Sequence, residues 1–249
     1  MDNTTYIALS RQMALQNQLE VVANNLANAN TTGFKGSDTL FSQYVFKVDQ
    51  NERAFKDKVA FVHDYGLVRN LSQGALNYTG NSLDTAIQGD GYFVVRGLGG
   101  AENYTRAGAF TKNADGFLTT MDGRLVLGTN SAPINIPRDA KDLVIQGDGS
   151  IAEANGRTFG QIRVVRFDKE RDLKQVDGTA FRSDGQQPID IARPKVAQGV
   201  LEASNVAPIS EITRLISLNR AYQETAKMVS QEDDRKKKAN EVFIRPVSA

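Results

Sequence analysis

Apolar spacing divides the chain into three zones. From residue 3 to 30, Leu15, Leu19, Val22, Leu26 and Ala29 recur at 4-3-4-3 spacing, with Ala8 one heptad earlier. Such a seam predicts one amphipathic helix suited to coiled-coil-like pairing. The rest of its surface carries amides rather than charges: Gln12, Gln16, Asn17, Gln18, Asn24, Asn25, Asn28 and Asn30. Asn is a weak helix former. Amides both donate and accept hydrogen bonds, so this face reads as packed against other chains. Thr31-Thr32-Gly33 is expected to stop the helix, with Gly33 as its left-handed terminator.

A second helix opens at Pro208, with Ser210 as the expected N-cap and Glu211 favouring the first-turn dipole. Its apolar stripe is Ile212, Leu215, Ile216, Tyr222, Ala226 and Val229. The run Glu232-Asp233-Asp234-Arg235-Lys236-Lys237-Lys238 reads as a solvated helical end, its mixed signs arguing against a membrane patch.

Between the helices the pattern changes to turns and short β-rich runs. Seven Asx-Gly pairs, from Asp90-Gly91 to Asp184-Gly185, supply the positive φ angles of tight hairpins. Runs such as Tyr92–Val95, Phe117–Thr120 and Arg163–Phe167 lie between them. In residues 34–80, Phe41, Tyr44, Val45 and Phe46 precede a charged stretch, and Ala60–Val62 reads as a strand. The expected fold class is α+β: long N- and C-terminal helices forming a coiled-coil-like pair around a central all-β domain of antiparallel hairpins. The expected domains are 1–33 with 205–249 as a terminal-helix assembly domain, 34–80 as an extended connector, and 81–204 as the central β domain.

Charge and composition narrow the chemistry. Thirty Lys+Arg against 29 Asp+Glu leave a net charge of +1, without the basic excess of a phosphate-neutralising nucleic-acid binder. No Cys and one His, His63, exclude thiolate chemistry, Fe–S clusters and multi-His metal sites within one chain. The first residues lack the basic and apolar regions of a secretory signal. No stretch reaches the ~18 apolar residues of a membrane span. The Gly-Asp-Gly triplets at 89–91 and 147–149 lack the tandem spacing of calcium repeats and read as turns. Gly97-Leu98-Gly99-Gly100 is followed by strand-like residues rather than the helix a phosphate loop requires. His63 has no Gly-x-Ser-x-Gly elbow to serve. No catalytic residue, metal or cofactor is expected.

Energetics point outward from the chain. At ~1.5 Å per residue the first helix would extend ~42 Å, and alone it would be marginal in water. Burying its seam offers at most ~5–10 kcal/mol, which only a partner helix provides, the C-terminal helix within the chain or helices of neighbouring subunits. Heterologous contacts of that kind build open filaments when the rotation does not close. The candidate assembly residues are Leu15, Leu19, Val22, Asn25, Leu26 and Ala29 on the first helix, and Ile212, Leu215, Ile216, Tyr222, Ala226 and Val229 on the second.

Four motifs then carry a resemblance. Val22-Ala23-Asn24-Asn25-Leu26-Ala27-Asn28-Ala29-Asn30-Thr31-Thr32-Gly33-Phe34-Lys35 closely resembles the N-terminal signature of the flagellar axial proteins of rod and hook. Residues 80–93, from Gly80-Asn81-Ser82 to Gly91-Tyr92-Phe93, are similar to their second motif. Tyr104-Thr105-Arg106-Ala107-Gly108-Ala109-Phe110 is similar to the third, and Gln198-Gly199-Val200-Leu201-Glu202-Ala203-Ser204-Asn205-Val206 to the fourth. The opening Tyr6–Met13 looks most like the proximal-rod members, with the distal-rod members next. The charged run 232–238 departs from the family's less charged terminal helix.

The resemblance implies a structural subunit of the basal-body rod, a periplasmic drive shaft and export channel needed for motility. It implies type III export without a cleaved signal peptide. Its implied partners are other rod proteins, copies of itself and the export apparatus, with a monomer before assembly and neither nucleic acid nor membrane insertion. The competing readings are an assembly cap or regulator and a peptidoglycan hydrolase. The hydrolase would need a carboxylate pair in a groove.

Overall fold

The computed structural model describes residues 2–47, 58–97 and 99–244. They form two units, one of residues 1–27, 37–68 and 207–249, the other of residues 28–36 and 69–206.

The first unit holds both helices and a two-stranded sheet. Helix α1 is Asp2–Ala27, 26 residues, and helix α2 is Pro208–Ile244, 37 residues. The strands Ser37–Lys47 and Lys58–Arg69 pair with each other. Two strands therefore lie within the segment expected as an extended connector, the second of them containing Ala60–Val62. Part of that connector, 48–57, lies outside the described residues, as does the side chain of His63.

The expected fold class needs correction beyond its α+β character. The two helices are unequal in length, and α1 ends at Ala27, three residues short of the expected Asn30. The stripe on α2 is not a buried seam: Ile212 and Ile216 remain 45% and 47% exposed. Leu215, Tyr222, Ala226 and Val229 are half-buried, and Thr225 is the buried position there. On α1 the buried positions are Ala8, Leu15, Val22 and Asn25, while Leu19 and Leu26 are half-buried. A long heptad pair around a hairpin domain is thus not the architecture. The large β unit is built from several sheets. α1 stops early because Asn28-Ala29-Asn30 closes as a turn, with the Thr31 N–H donating to the Asn28 carbonyl at 3.1 Å. α2 begins with Pro208 at a position where a missing N–H is harmless. Ser210 sits inside that first turn, and its hydroxyl donates to the Ala207 carbonyl at 2.7 Å rather than capping the helix.

The second unit is all β, and its strand pairs are antiparallel. Its main sheet runs in the order Lys174–Asp177, Ala180–Arg182, Glu102–Thr105, Tyr92–Arg96, Leu125–Val126, Leu118–Thr120, Phe110–Lys112. Val164–Arg166 also pairs with Tyr92–Arg96 and with Ile189–Asp190. A three-stranded sheet joins Leu143–Ile145, Ser150–Glu153 and Thr158–Gln161. Two small pairs complete it: Thr85–Ile87 with Val196–Gln198, and Leu76–Tyr78 with Val200–Glu202. The glycines of all seven Asx-Gly pairs take positive φ, as the turn reading requires.

Tyr92–Val95 is buried throughout because successive side chains point to opposite, covered faces. Phe93 and Val95 join Phe110, Leu118, Val126 and the isoleucines in one cluster. Tyr92 and Val94 join Tyr104, Leu127, Val165, Phe167 and Phe181 in the other. Edge-to-face contacts of 4.7 Å between Tyr104 and Phe167, and 5.9 Å between Tyr92 and Phe181, order this second cluster.

Burial pushes the Tyr104 phenol up to about 12, and the neighbouring Glu102 carboxylate adds to the shift. Tyr92 moves in the same direction, chiefly through burial and then through Glu170. A folded state that holds these protons more tightly than the unfolded chain, where a phenol titrates near ~10, keeps their contribution below that pH. It loses the contribution as pH rises toward about 12. The melting temperature of the β unit should therefore fall steeply across that alkaline window. Tyr104→Phe should blunt the fall, read by circular dichroism.

Candidate functional site

The four sequence motifs meet at one buried junction inside the β unit. Lys35 and Glu202, each 1% exposed at the side chain, form an ion pair at 2.5 Å. The second carboxylate oxygen of Glu202 receives Arg106 Nη1 at 3.4 Å. Two cations on one buried carboxylate are better tolerated when their other donors find acceptors. Lys35 Nζ also donates to the Ser72 carbonyl at 2.7 Å, and Arg106 Nη1 to the Gly89 carbonyl at 2.8 Å, while Arg106 Nε is buried without an acceptor. The Arg106 guanidinium lies 5.3 Å above the Tyr92 ring. Burial pulls the Lys35 ammonium down from its ordinary value, and Glu202 opposes that shift.

Main-chain bonds extend the junction. The Gly33 N–H donates to the Glu202 carbonyl at 2.8 Å, and the Gly74 N–H to the Glu202 carboxylate at 3.2 Å. Asn205 accepts from the Gly36 N–H at 2.8 Å and donates to the carbonyls of Asn70 and Ser72 at 2.9 and 3.0 Å. Gly33 is left-handed, at φ +69°, but it does not end α1. Its role is close approach: a Cβ there would lie 2.4 Å from the Ala107 backbone nitrogen.

Sequence reasoning overlooked Lys35, Arg106, Glu202 and Asn205 as a site, although it quoted the motif holding each one. The available signal was an isolated charge in each of three motifs made otherwise of apolar, small or amide residues. Among the predicted assembly residues, Asn25 is spent inside the chain. Its amide accepts from the Ser37 N–H at 3.0 Å and donates to the Ser37 carbonyl at 2.8 Å. Leu15 and Val22 are buried, and Ala29 lies past the end of α1 in the β unit, half-buried. The helices instead leave other residues uncovered: Tyr6, Leu9 and Met13 on α1, and Ile209 on α2 beside Ile212 and Ile216.

The Gly-Asp-Gly triplets are occupied by the fold. Asp148 accepts from the Ser150 N–H at 2.9 Å, which holds its carboxyl below the usual range. Gly89 takes part in the junction, its N–H donating to Gln73 at 3.2 Å. No cluster of His, Asp or Glu among the described residues could hold a metal ion. A chelator should leave the melting temperature of the protein unchanged. Stabilisation by added calcium would contradict the turn assignment.

The β unit is inserted in sequence between two helices, and its junction ties together the points where the chain enters and leaves it. Comparison with known proteins makes this specific. Residues 6–35 match the family Flagella basal body rod protein, residues 86–153 the Flagellar hook protein FlgE/F/G D1 domain, and residues 197–242 the Flagellar basal body rod FlgEFG protein C-terminal family. The chain is 40% identical to the flagellar basal-body rod protein FlgF of Caulobacter vibrioides, over 92% of this chain and 93% of that protein. It is 37% identical to FlgG of Agrobacterium fabrum, over 92% and 94%, and 31% identical to FlgG of Caulobacter vibrioides, over 91% and 94%. The chain belongs to the flagellar basal-body rod protein family, as a structural component of the basal body.

Proposed function

We propose that the chain polymerises with copies of itself and with other rod proteins through apolar helix faces that it leaves uncovered. The observation that carries this is a pair of exposed stripes at i, i+3, i+7 spacing. Tyr6, Leu9 and Met13 are 62%, 48% and 61% exposed, and Ile209, Ile212 and Ile216 are 82%, 45% and 47% exposed. Both faces waste burial in a monomer and gain it in a filament. The predicted seam positions Leu19, Leu26, Leu215, Tyr222, Ala226 and Val229 are half-buried in the single chain and gain further burial on assembly.

The role is mechanical rather than catalytic: the polymer transmits torque and encloses an export path across the periplasm. Several of its carboxylates serve ion pairs, as Asp122 and Asp177 do on Arg124, and Asp190 on Arg163. Before assembly the chain is a monomer, delivered by the export apparatus. A proximal, FlgF-type position is favoured over the distal one by the Caulobacter pair, where identity is 40% to FlgF and 31% to FlgG. Cryo-EM of isolated basal bodies tests the reading. Both stripes should be covered by helices of neighbouring subunits at the proximal rod. Stripes facing solvent in the assembled rod would refute it.

A further inference from the structure

We infer that the segment 202–205 is a latch that docks last, so that the signature segment 28–36 stays undocked until nearly the whole chain is present. The case rests on where the partners of that segment lie. The Gly33 N–H bonds to the Glu202 carbonyl, Lys35 Nζ to the Glu202 carboxylate, and the Gly36 N–H to the Asn205 side chain. Asn205 also donates to the carbonyls of Asn70 and Ser72, and Gly74 donates to Glu202. These contacts cross 128 to 169 residues of sequence. Without residues 202–205, Lys35 keeps one carbonyl partner, Ser72, and loses the carboxylate that touches it, leaving only the weaker field of Glu170 against the nearby Arg106 cation. An ammonium in that position does not stay docked, because desolvating an unpaired charge outweighs one neutral hydrogen bond.

The central sheet has no such dependence. The Val94 N–H donates to the Arg163 carbonyl and the Leu127 N–H to the Val94 carbonyl, between two cores whose last members in sequence are Phe181 and Val196, both ahead of residue 202. A chain that emerges N-terminus first therefore completes this sheet while residues 28–36 are still free. Glu202 then closes the junction in one step, tying its carbonyl to Gly33 and its carboxylate to Lys35, Arg106 and Gly74. The consequence is a built-in order: the family's N-terminal signature reaches its final place only when the C-terminal motif arrives. This ordering stands whether or not the exposed helix stripes are the polymer contacts.

Amide hydrogen exchange on the full chain tests the latch. In the unmodified protein, the amides of Gly33, Gly36, Asn70 and Gly74 should exchange together through a partial opening, with Val94 and Leu127 still protected. In refolding with pulse labelling they should gain protection after Val94 and Leu127. Glu202→Ala should speed exchange at Gly33, Gly36 and Gly74 at least about tenfold, leaving Val94 and Leu127 unchanged. Glu202→Gln, which keeps an acceptor without the charge, should fall between. Protection of the Gly33 group together with or ahead of the sheet would overturn the proposal. So would unaltered exchange in Glu202→Ala, or loss of sheet protection along with the junction. If Glu202→Ala does not fold, the refolding order of the unmodified chain still decides.

Discussion

Gly108→Ala should cripple the β unit. A Cβ at this position would lie 1.7 Å from the Thr85 carbonyl oxygen and 2.8 Å from its carbon, with the Phe93 ring at 3.1 Å. The first two are backbone atoms, held there because the Thr85 N–H donates to the Gly108 carbonyl at 2.9 Å. No side-chain rotation relieves such a clash. The strands must part, taking the Phe93–Phe110 contact with them, whose ring centroids are 5.1 Å apart. Overpacking of this kind costs about 3 kcal/mol or more, a fall in melting temperature of roughly 6–12 °C for a unit of this size. Gly160→Ala is the control. Its Cβ would meet only Ile134 side-chain atoms at 3.7 Å, an ordinary contact. That variant should be neutral or gain up to about 1 kcal/mol from a less flexible unfolded chain. Equal melting temperatures for the two variants would show that the close approach at residue 108 is not rigid.

Charging both exposed stripes should abolish assembly while sparing the monomer. In the double variant Leu9→Asp with Ile212→Asp, each carboxylate replaces a side chain that is 48% or 45% exposed in the single chain. Surface substitutions of that kind move stability by about 0.5 kcal/mol, so the monomer should melt as before. In the filament each carboxylate would face apolar surface from a neighbour, and an unpaired buried charge costs several kcal/mol. Because every subunit repeats the penalty, basal bodies should lack the variant and cells should be non-motile, with the protein still present in the exported fraction. Val22→Asp separates the two effects. Val22 is 1% exposed within its own chain, so that variant should fail already as a monomer, seen as lost helical signal. Normal incorporation of the double variant would end the case for the stripes as contacts.

Much of this protein was legible in its sequence because the features concerned are local. An Asx-Gly pair carries its own turn, and all seven adopted positive φ. Two helices follow from apolar periodicity over a few turns, although the Asn-rich end of α1 gave way three residues early. Four motifs in family order were enough to place the chain among the flagellar axial proteins. The expected seam failed in part for a physical reason. Heptad spacing shows that a face is apolar, but not whether its own chain covers it, as with Val22, or leaves it bare, as with Ile212.

What the sequence alone determined, then, is the inventory: two helices, a β-rich middle punctuated by turns, a chain without Cys and with one His, and a family. Only the tertiary structure decided which of those residues meet. Lys35 and Arg106 reach Glu202 across 167 and 96 residues, and nothing in the neighbourhood of any of the three specifies the others. Their meeting depends on the pairing of Leu76–Tyr78 with Val200–Glu202 and on the close approach of Gly33 to the Arg106–Ala107 backbone. A buried charge is intelligible only once its counter-charge is located, because burial penalises it until a partner closes the pair.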